Sequence, residues 1–315
     1  MSKTKKQRKS NTLFGISDCH KPKNNTKRNY EYRIHKIYNR PKNLKTYQKN
    51  KIKSIILFHH NLGQTKHGVE KAPKYLKKFI NKKKYKLYNV INTGNFFTNI
   101  TELYDINKII KGDRLNIGGD HSMSIATIAY TLNKYPDAKV IYFDAHADIN
   151  TYESSKSKHY HGMPLSFLTG LDNDEHFNFI KNKLKFDNLL YIGTRCLDMF
   201  ERNLIYKNNI KYIEPSELNY DFENTLNKIL DFAGNSPIHL SFDVDCIDKS
   251  IIPSTGTAVK EGIKLDSGKK ILEELKNNTN IVNMDITELN LEIGTYKEKN
   301  LSKEYAVDLF KCFFN

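Results

Sequence analysis

The 315-residue sequence predicts an α/β fold, a three-layer, doubly wound, mostly parallel sheet of eight strands. Three observations carry this. Short β-branched runs recur eight times after residue 50, several are continuously apolar rather than alternating, and helical stretches separate them. Continuous apolar runs suit strands covered on both faces, as in a parallel sheet between helix layers. Regular β–α alternation is what doubly wound sheets require.

In chain order, the strands are expected at Ser54–Phe58, Leu87–Asn92, Arg114–Ile117, Lys139–Phe143, Leu189–Ile192, Lys211–Ile213, Ile238–Phe242 and Ile281–Asp285. Helices are expected around 69–82, 122–134, 163–169, 199–208, 221–233 and 266–277. There is no internal repeat and no linker to a second domain. No run of about 18 apolar residues occurs, which argues against a spanning helix.

The net charge of +16 is unevenly spread. Residues 1–50 hold 15 Lys or Arg against Asp18 and Glu31, which leaves only about +3 for the rest. The basicity belongs to an arm and not to the folded body. Residues 1–50 lack hydrophobic periodicity and read as a disordered or loosely packed arm, and residues 51–315 as one folded domain. For the arm, a solvated tail, a nuclear signal at 3–9, a mitochondrial presequence and a contact with nucleic acid or another weak anionic partner stay open. No apolar segment of signal-peptide type follows the basic start. The four cysteines, Cys19, Cys196, Cys246 and Cys312, form no CxxC pair. They are expected to be free thiols in a reducing, cytoplasmic compartment.

Open parallel sheets bind ligands beyond the carboxyl ends of their strands. The third strand runs into Gly118-Gly119-Asp120-His121-Ser122, the fourth into Asp144-Ala145-His146-Ala147-Asp148, the seventh into Asp243-Val244-Asp245 and the eighth into Asp285-Ile286-Thr287-Glu288. Just past a strand, residues two apart point the same way. Asp144, His146 and Asp148 would therefore face one site, and Asp243 and Asp245 share that spacing. Carboxylates crowded on one rim repel unless cations lie between them, and two divalent metals would resolve the conflict. The oxygen-rich, nitrogen-containing, sulfur-free set favours manganese over a thiolate zinc site. Alone, each piece is an ordinary cap, turn or satisfied polar group. Together, at one rim, they point to a metal centre.

On these motifs, the sequence from about residue 51 onward resembles the arginase/agmatinase ureohydrolases, and Gly68-Val69-Glu70-Lys71-Ala72-Pro73 resembles that family's segment before its first helix. The resemblance implies two manganese(II) ions. His121, Asp144, Asp148 and Asp243 would hold one, and Asp144, His146, Asp243 and Asp245 the other, with Asp144, Asp243 and a hydroxide bridging. The hydroxide would attack a guanidinium carbon. His161 matches the family's proton-shuttle histidine, Glu288 the carboxylate that pairs with the guanidinium, and Thr257 a neighbouring threonine. Asp148 is counted with the catalytic residues as well as with the ligands.

Within the family, the resemblance points to the branch that hydrolyses L-arginine to urea and L-ornithine. Asn150, Ser155 and Ser157 fall where that branch grips the α-carboxylate, and Asp198 and Glu201 where it holds the α-amino group. Short hydroxyl and amide groups suit a carboxylate, and an acid suits an ammonium. Lys158 and His159 replace a Gly-Asn pair and make the loop more basic. Cys196 replaces an acid beside Asp198, and Cys246, expected to be a small buried thiol, a glycine. Asp266 stands where an arginine often supports a trimer, so the usual trimer is in doubt and a homo-oligomer of another kind stays open. The short stretch between Thr93 and Gly112 implies a missing helix or loop. His59 and His60 are expected near the mouth of the site, His239 in the core and His176 in solvent. Two alternatives stay open: a sibling enzyme acting on agmatine or another guanidine, and a non-catalytic binding protein docking through its arm.

Overall fold

A computed structural model describes residues 52–313, so the expectations for residues 1–50 lie outside the described residues. Eight strands form one sheet: β1 (Ser54–Phe58), β2 (Lys86–Val90), β3 (Arg114–Ile117), β4 (Lys139–Phe143), β5 (Leu189–Ile192), β6 (Lys211–Ile213), β7 (Pro237–Asp243) and β8 (Asn280–Thr287). Their order is β2-β1-β3-β8-β7-β4-β5-β6. Every pairing is parallel, where the sequence predicts a mostly parallel sheet. Five strands match their expected bounds, β2 is displaced towards its N-terminus, and β7 and β8 run longer than expected. The extra residues of β8 include Ile286 and Thr287, which carry the ladder to the edge of the site.

The helices are α1 (Ala72–Leu76), α2 (Phe96–Ile109), α3 (Ser124–Lys134), α4 (Pro164–Thr169), α5 (Met199–Lys207), α6 (Pro215–Tyr220), α7 (Phe222–Ala233), α8 (Leu265–Asn278) and α9 (Tyr296–Lys311). The sequence reading has no counterpart for α2, α6 or α9. The short stretch between Thr93 and Gly112, read as missing a helix or loop, holds α2, capped by Asn95, whose side chain accepts from the amide of Thr98. Its buried residues include Asn99 and Asn107, polar groups that hide the apolar stripe from periodicity. No described helix is long and apolar enough to cross a membrane.

The sheet separates two apolar layers. One packs Ile55, Leu57, Leu115, Ile117, Phe143 and Phe242 against the residues of α7, α8 and α9. The other packs Ile56, Phe58, Val140, Tyr142 and Tyr191 against α2, α3 and α4. This explains the continuous apolar runs, because alternate side chains enter opposite cores. The second layer also holds a buried polar net. Asp285 accepts from Asn116 (2.7 Å) and Thr127 (2.6 Å) and pairs with His239 (2.9 Å), whose other ring nitrogen meets Thr131. His239 is thus a core histidine, as expected. Every one of these groups has a partner, which is the condition for burying them cheaply.

Candidate metal centre

The four strand ends that carry the motifs, β3, β8, β7 and β4, are neighbours in the middle of the sheet. That adjacency turns four separate sequence motifs into one rim. After β3 the chain makes a close approach: a Cβ on Gly119 would lie 1.6 Å from the carbonyl oxygen of His60. Asp120 then caps a short turn, accepting from the amides of Ser122 and, across to the loop after β1, Gly63. This leaves His121 pointing into the site, with its ring flat against Tyr142.

The carboxylates of the fourth and seventh strand ends meet the two imidazoles. His121 Nδ1 lies 2.9 Å from Asp144, 3.2 Å from Asp148 and 3.4 Å from Asp243. His146 Nδ1 lies 3.3 Å from Asp144 and 3.1 Å from Asp245. Two groups of ligand atoms within 4.8 Å of one another result, His121–Asp144–Asp243 and Asp144–His146–Asp245, with Asp144 common to both. Asp148 reaches its place in a left-handed backbone conformation (φ 51°). Such conformations are uncommon outside glycine and cluster at functional sites.

Backbone amides aim the carboxylates. Those of His146, Asp245 and Ala145 donate to Asp144, Asp243 and Asp245 respectively. The far ring nitrogen of His121 meets Ser241 Oγ at 2.9 Å, which leaves Nδ1 to face the acids. A histidine ligand held by its other nitrogen is the usual arrangement of a metal site.

Burial, and then the charges of Asp148 and Asp245, push the Asp144 carboxyl up to about 7. Burial and the charges of Asp245 and Asp144 likewise push Asp243 up. Burial works against charging His121 and His146, yet their acidic neighbours hold both above the usual range. Asp245 goes the other way: despite burial, the charge of His146 and its hydrogen bonds lower it. Acids whose ligand atoms lie within 4.8 Å of one another are costly to keep ionised unless cations stand among them. The chemistry of the donors therefore fits a divalent metal pair.

Glu288, also left-handed (φ 64°), follows β8 and is buried. Its Oε1 accepts from the amide of His121 at 2.8 Å and lies 3.3 Å from His161 Nδ1. Burial disfavours the charged His161 ring, but the hydrogen bond and charge of Glu288 raise its pKa to about 9. Thr257 donates to Asp245 at 3.0 Å.

Asn150 donates to Asp198 at 2.8 Å. Asp198 caps α5 and forms a reciprocal capping box with Glu201, whose carboxyl is pushed to about 8 by burial and then by the charges of Asp198 and Asp148. Ser155 and Ser157 do not join this pair. Their hydroxyls accept from the amides of Lys158 and His159 within their own turn. The Lys158 ammonium turns back onto the carbonyls of Tyr152 and Glu153 and the ring of Tyr152. His60 is fully buried between Phe58 and Phe96 rather than at the mouth. His176 is exposed, as expected. Cys246 and Cys312 are buried free thiols, as expected. Sequence reasoning missed Tyr142, Ser241 and Gln64, the last of which donates to both oxygens of Glu288. None of the three stands inside a motif.

Comparison with known proteins agrees with this geometry. An arginase from Saccharomyces cerevisiae is 31% identical over 303 residues, covering 79% of this chain and 90% of that protein. One from Glaciozyma antarctica is 38% identical over 207 residues, a match that spans 60% of that protein's length. Among solved structures, an Entamoeba histolytica arginase in complex with L-ornithine superposes with a TM-score of 0.75 at 27% identity, covering 85% of this chain and all of that one. A Bacillus subtilis arginase gives 0.75 at 29% identity, covering 84% and 99%. The arginase family model matches residues 54–314, and on that match, with the sheet order and the clustered ligands, the chain belongs to the arginase family.

Proposed function

We propose that this amidinohydrolase cleaves the guanidinium group of L-arginine, giving urea and L-ornithine. The observation that carries the reading is Asp144, common to two ligand clusters, on the same rim as the buried Glu288 carboxylate. His121, Asp144, Asp148 and Asp243 would hold one cation, and Asp144, His146, Asp243 and Asp245 the second. Manganese suits this thiolate-free set. When bound, such a pair supplies a water acidic enough to serve as nucleophile near neutral pH.

The chain's own groups do the rest. Glu288 pairs with the guanidinium and fixes its carbon. Water adds through a new C–O bond, and the bond from that carbon to the side-chain nitrogen breaks. The departing amine needs a proton. With its pKa near 9, His161 carries one at neutral pH, its Nδ1 directed at Glu288 and its Nε2–H left for the amine. Asp198 and Glu201 would receive the α-ammonium. An ammonium beside Glu201 favours the ionised form that burial now suppresses. Asn150, Ser155 and Ser157 would meet the α-carboxylate, and Thr257 steadies Asp245.

The test is urea release from L-arginine and from agmatine by manganese-loaded protein. Urea from arginine alone, lost in Asp144→Ala, supports the reading. Urea from agmatine instead transfers it to a substrate without the carboxylate, and urea from neither overturns it. Residues 51–315 are read as the catalytic body, so removing residues 1–50 is expected to leave turnover intact.

A further inference from the structure

Glu288 is held unevenly. Its Oε1 has three donors: the amide of His121 (2.8 Å), His161 Nδ1 (3.3 Å) and Gln64 Nε2 (3.1 Å). Its Oε2 has one, Gln64 Nε2 at 2.9 Å. A glutamate has three side-chain torsions, and a carboxylate gripped at a single oxygen can pivot about it. Gln64 donates to both oxygens and so fixes the plane of the group.

The turn that carries Gln64 is well anchored. The amide of Gly63 donates to Asp120, the amide of His161 donates to the carbonyl of Gly63, and Asn290 donates to the carbonyl of His67. Lys66 reaches across to the carbonyl of Gly256. The far side of the Gln64 carboxamide faces that same loop, where a Cβ on Gly256 would come within 3.3 Å of Gln64 Oε1 and 3.8 Å of Glu288 Oε2. No donor among the described residues lies on Gln64 Oε1. The carboxamide thus presents an open acceptor beside the open face of the carboxylate.

We propose that Gln64 is a positioning and specificity residue of this site, which orients the Glu288 carboxylate through its N–H and accepts an N–H of a bound guanidinium through its carbonyl. This rests on the reading that the substrate is a guanidine. A guanidinium is planar and rich in donors, so a carboxylate with a carbonyl beside it matches it better than a carboxylate alone. A ligand end without those donors leaves both acceptors desolvated and unpaired, which is penalised.

Gln64→Leu keeps the bulk and removes both polar atoms. It should be compared with the wild type as manganese-loaded full-length protein. Isothermal titration would use guanidinium ion at low millimolar concentration and, separately, L-ornithine, which has no guanidinium. The variant is expected to bind guanidinium ion about tenfold more weakly, the scale of one charge-assisted hydrogen bond, while ornithine binding stays within about twofold. In urea assays, KM for arginine should rise about tenfold with a smaller change in kcat. Equal guanidinium affinity in the two proteins overturns the proposal. So does an equal loss for ornithine, which marks a collapsed turn. If guanidinium binding shows the expected loss but the wild type releases no urea from arginine, the proposal stands and the arginine reading falls.

Discussion

The ring of His121 lies face to face with that of Tyr142, centroids 4.5 Å apart and planes 8° from parallel, and the Tyr142 hydroxyl donates to Asp148 at 3.1 Å. One fully buried side chain from β4 thus steadies two candidate ligands that come from different strand ends. Tyr142→Phe keeps the stack and removes only the hydrogen bond. Manganese affinity, measured by competition with a chelator, is expected to fall about 10-fold to 100-fold, the usual cost of losing a partner behind a metal ligand. Unchanged affinity would show that Asp148 needs no such support.

Asp144 belongs to both ligand clusters, so its removal should empty both. In Asp144→Asn, bound manganese measured by elemental analysis is expected to fall below one ion per chain, and turnover to fall at least about 1,000-fold. In the wild type, ligand linkage adds about 4 kcal/mol when free metal stands at about 1,000 times Kd. A chelator should therefore lower the melting temperature of the wild type and leave that of the variant nearly unmoved. Equal chelator sensitivity in the two would contradict a shared ligand.

The His161–Glu288 pair predicts a dependence on pH. His161 has its pKa raised from 6.5 to about 9 in the folded chain. A base whose pKa rises on folding contributes fully below its unfolded value and loses that contribution as pH climbs through the folded one. Thermal melts of wild type and His161→Gln should therefore differ most below about pH 6.5 and converge between about pH 7 and 10. A difference that grows with pH would mean that His161 is neutral in the fold.

Asp198 has two tasks that a single substitution can separate. It caps α5 and is proposed to hold an ammonium. Asn caps helices about as well as Asp, so Asp198→Asn should melt within about 2 °C of the wild type. KM for arginine should nevertheless rise about 10-fold to 100-fold, the worth of a charge-assisted hydrogen bond. KM for agmatine should not follow. Parallel rises for both substrates would assign Asp198 to the cap alone.

Legibility in the sequence followed locality. The inner strands announce themselves because both faces are buried, so IILF within β1 and VIYF within β4 read as unbroken apolar runs. The strand-end motifs are equally local. What failed depends on partners far along the chain. Helix α9 opens with the Thr295–Glu298 capping box, but its sequence is so charged that the buried residues, such as Ala306 and Phe310, do not stand out. Helix α2 buries asparagines whose partners lie elsewhere, Asn99 meeting His60 and Asn107 meeting Asn116. Gln64 meets Glu288 across 224 residues, and nothing near either one signals the other.

Strand β8 is among the last elements of the chain, yet it sits between β3 and β7 in the middle of the sheet. During synthesis, β3 and β4 leave the ribosome long before the strands that separate them. Pairings between such distant segments form late and slowly. His121 and the Asp144 segment therefore have no fixed spacing until β7 and β8 slide in between. The proposed metal capture would thus be an event of chain completion, and a nascent or truncated chain ending before residue 280 should show no high-affinity uptake of manganese.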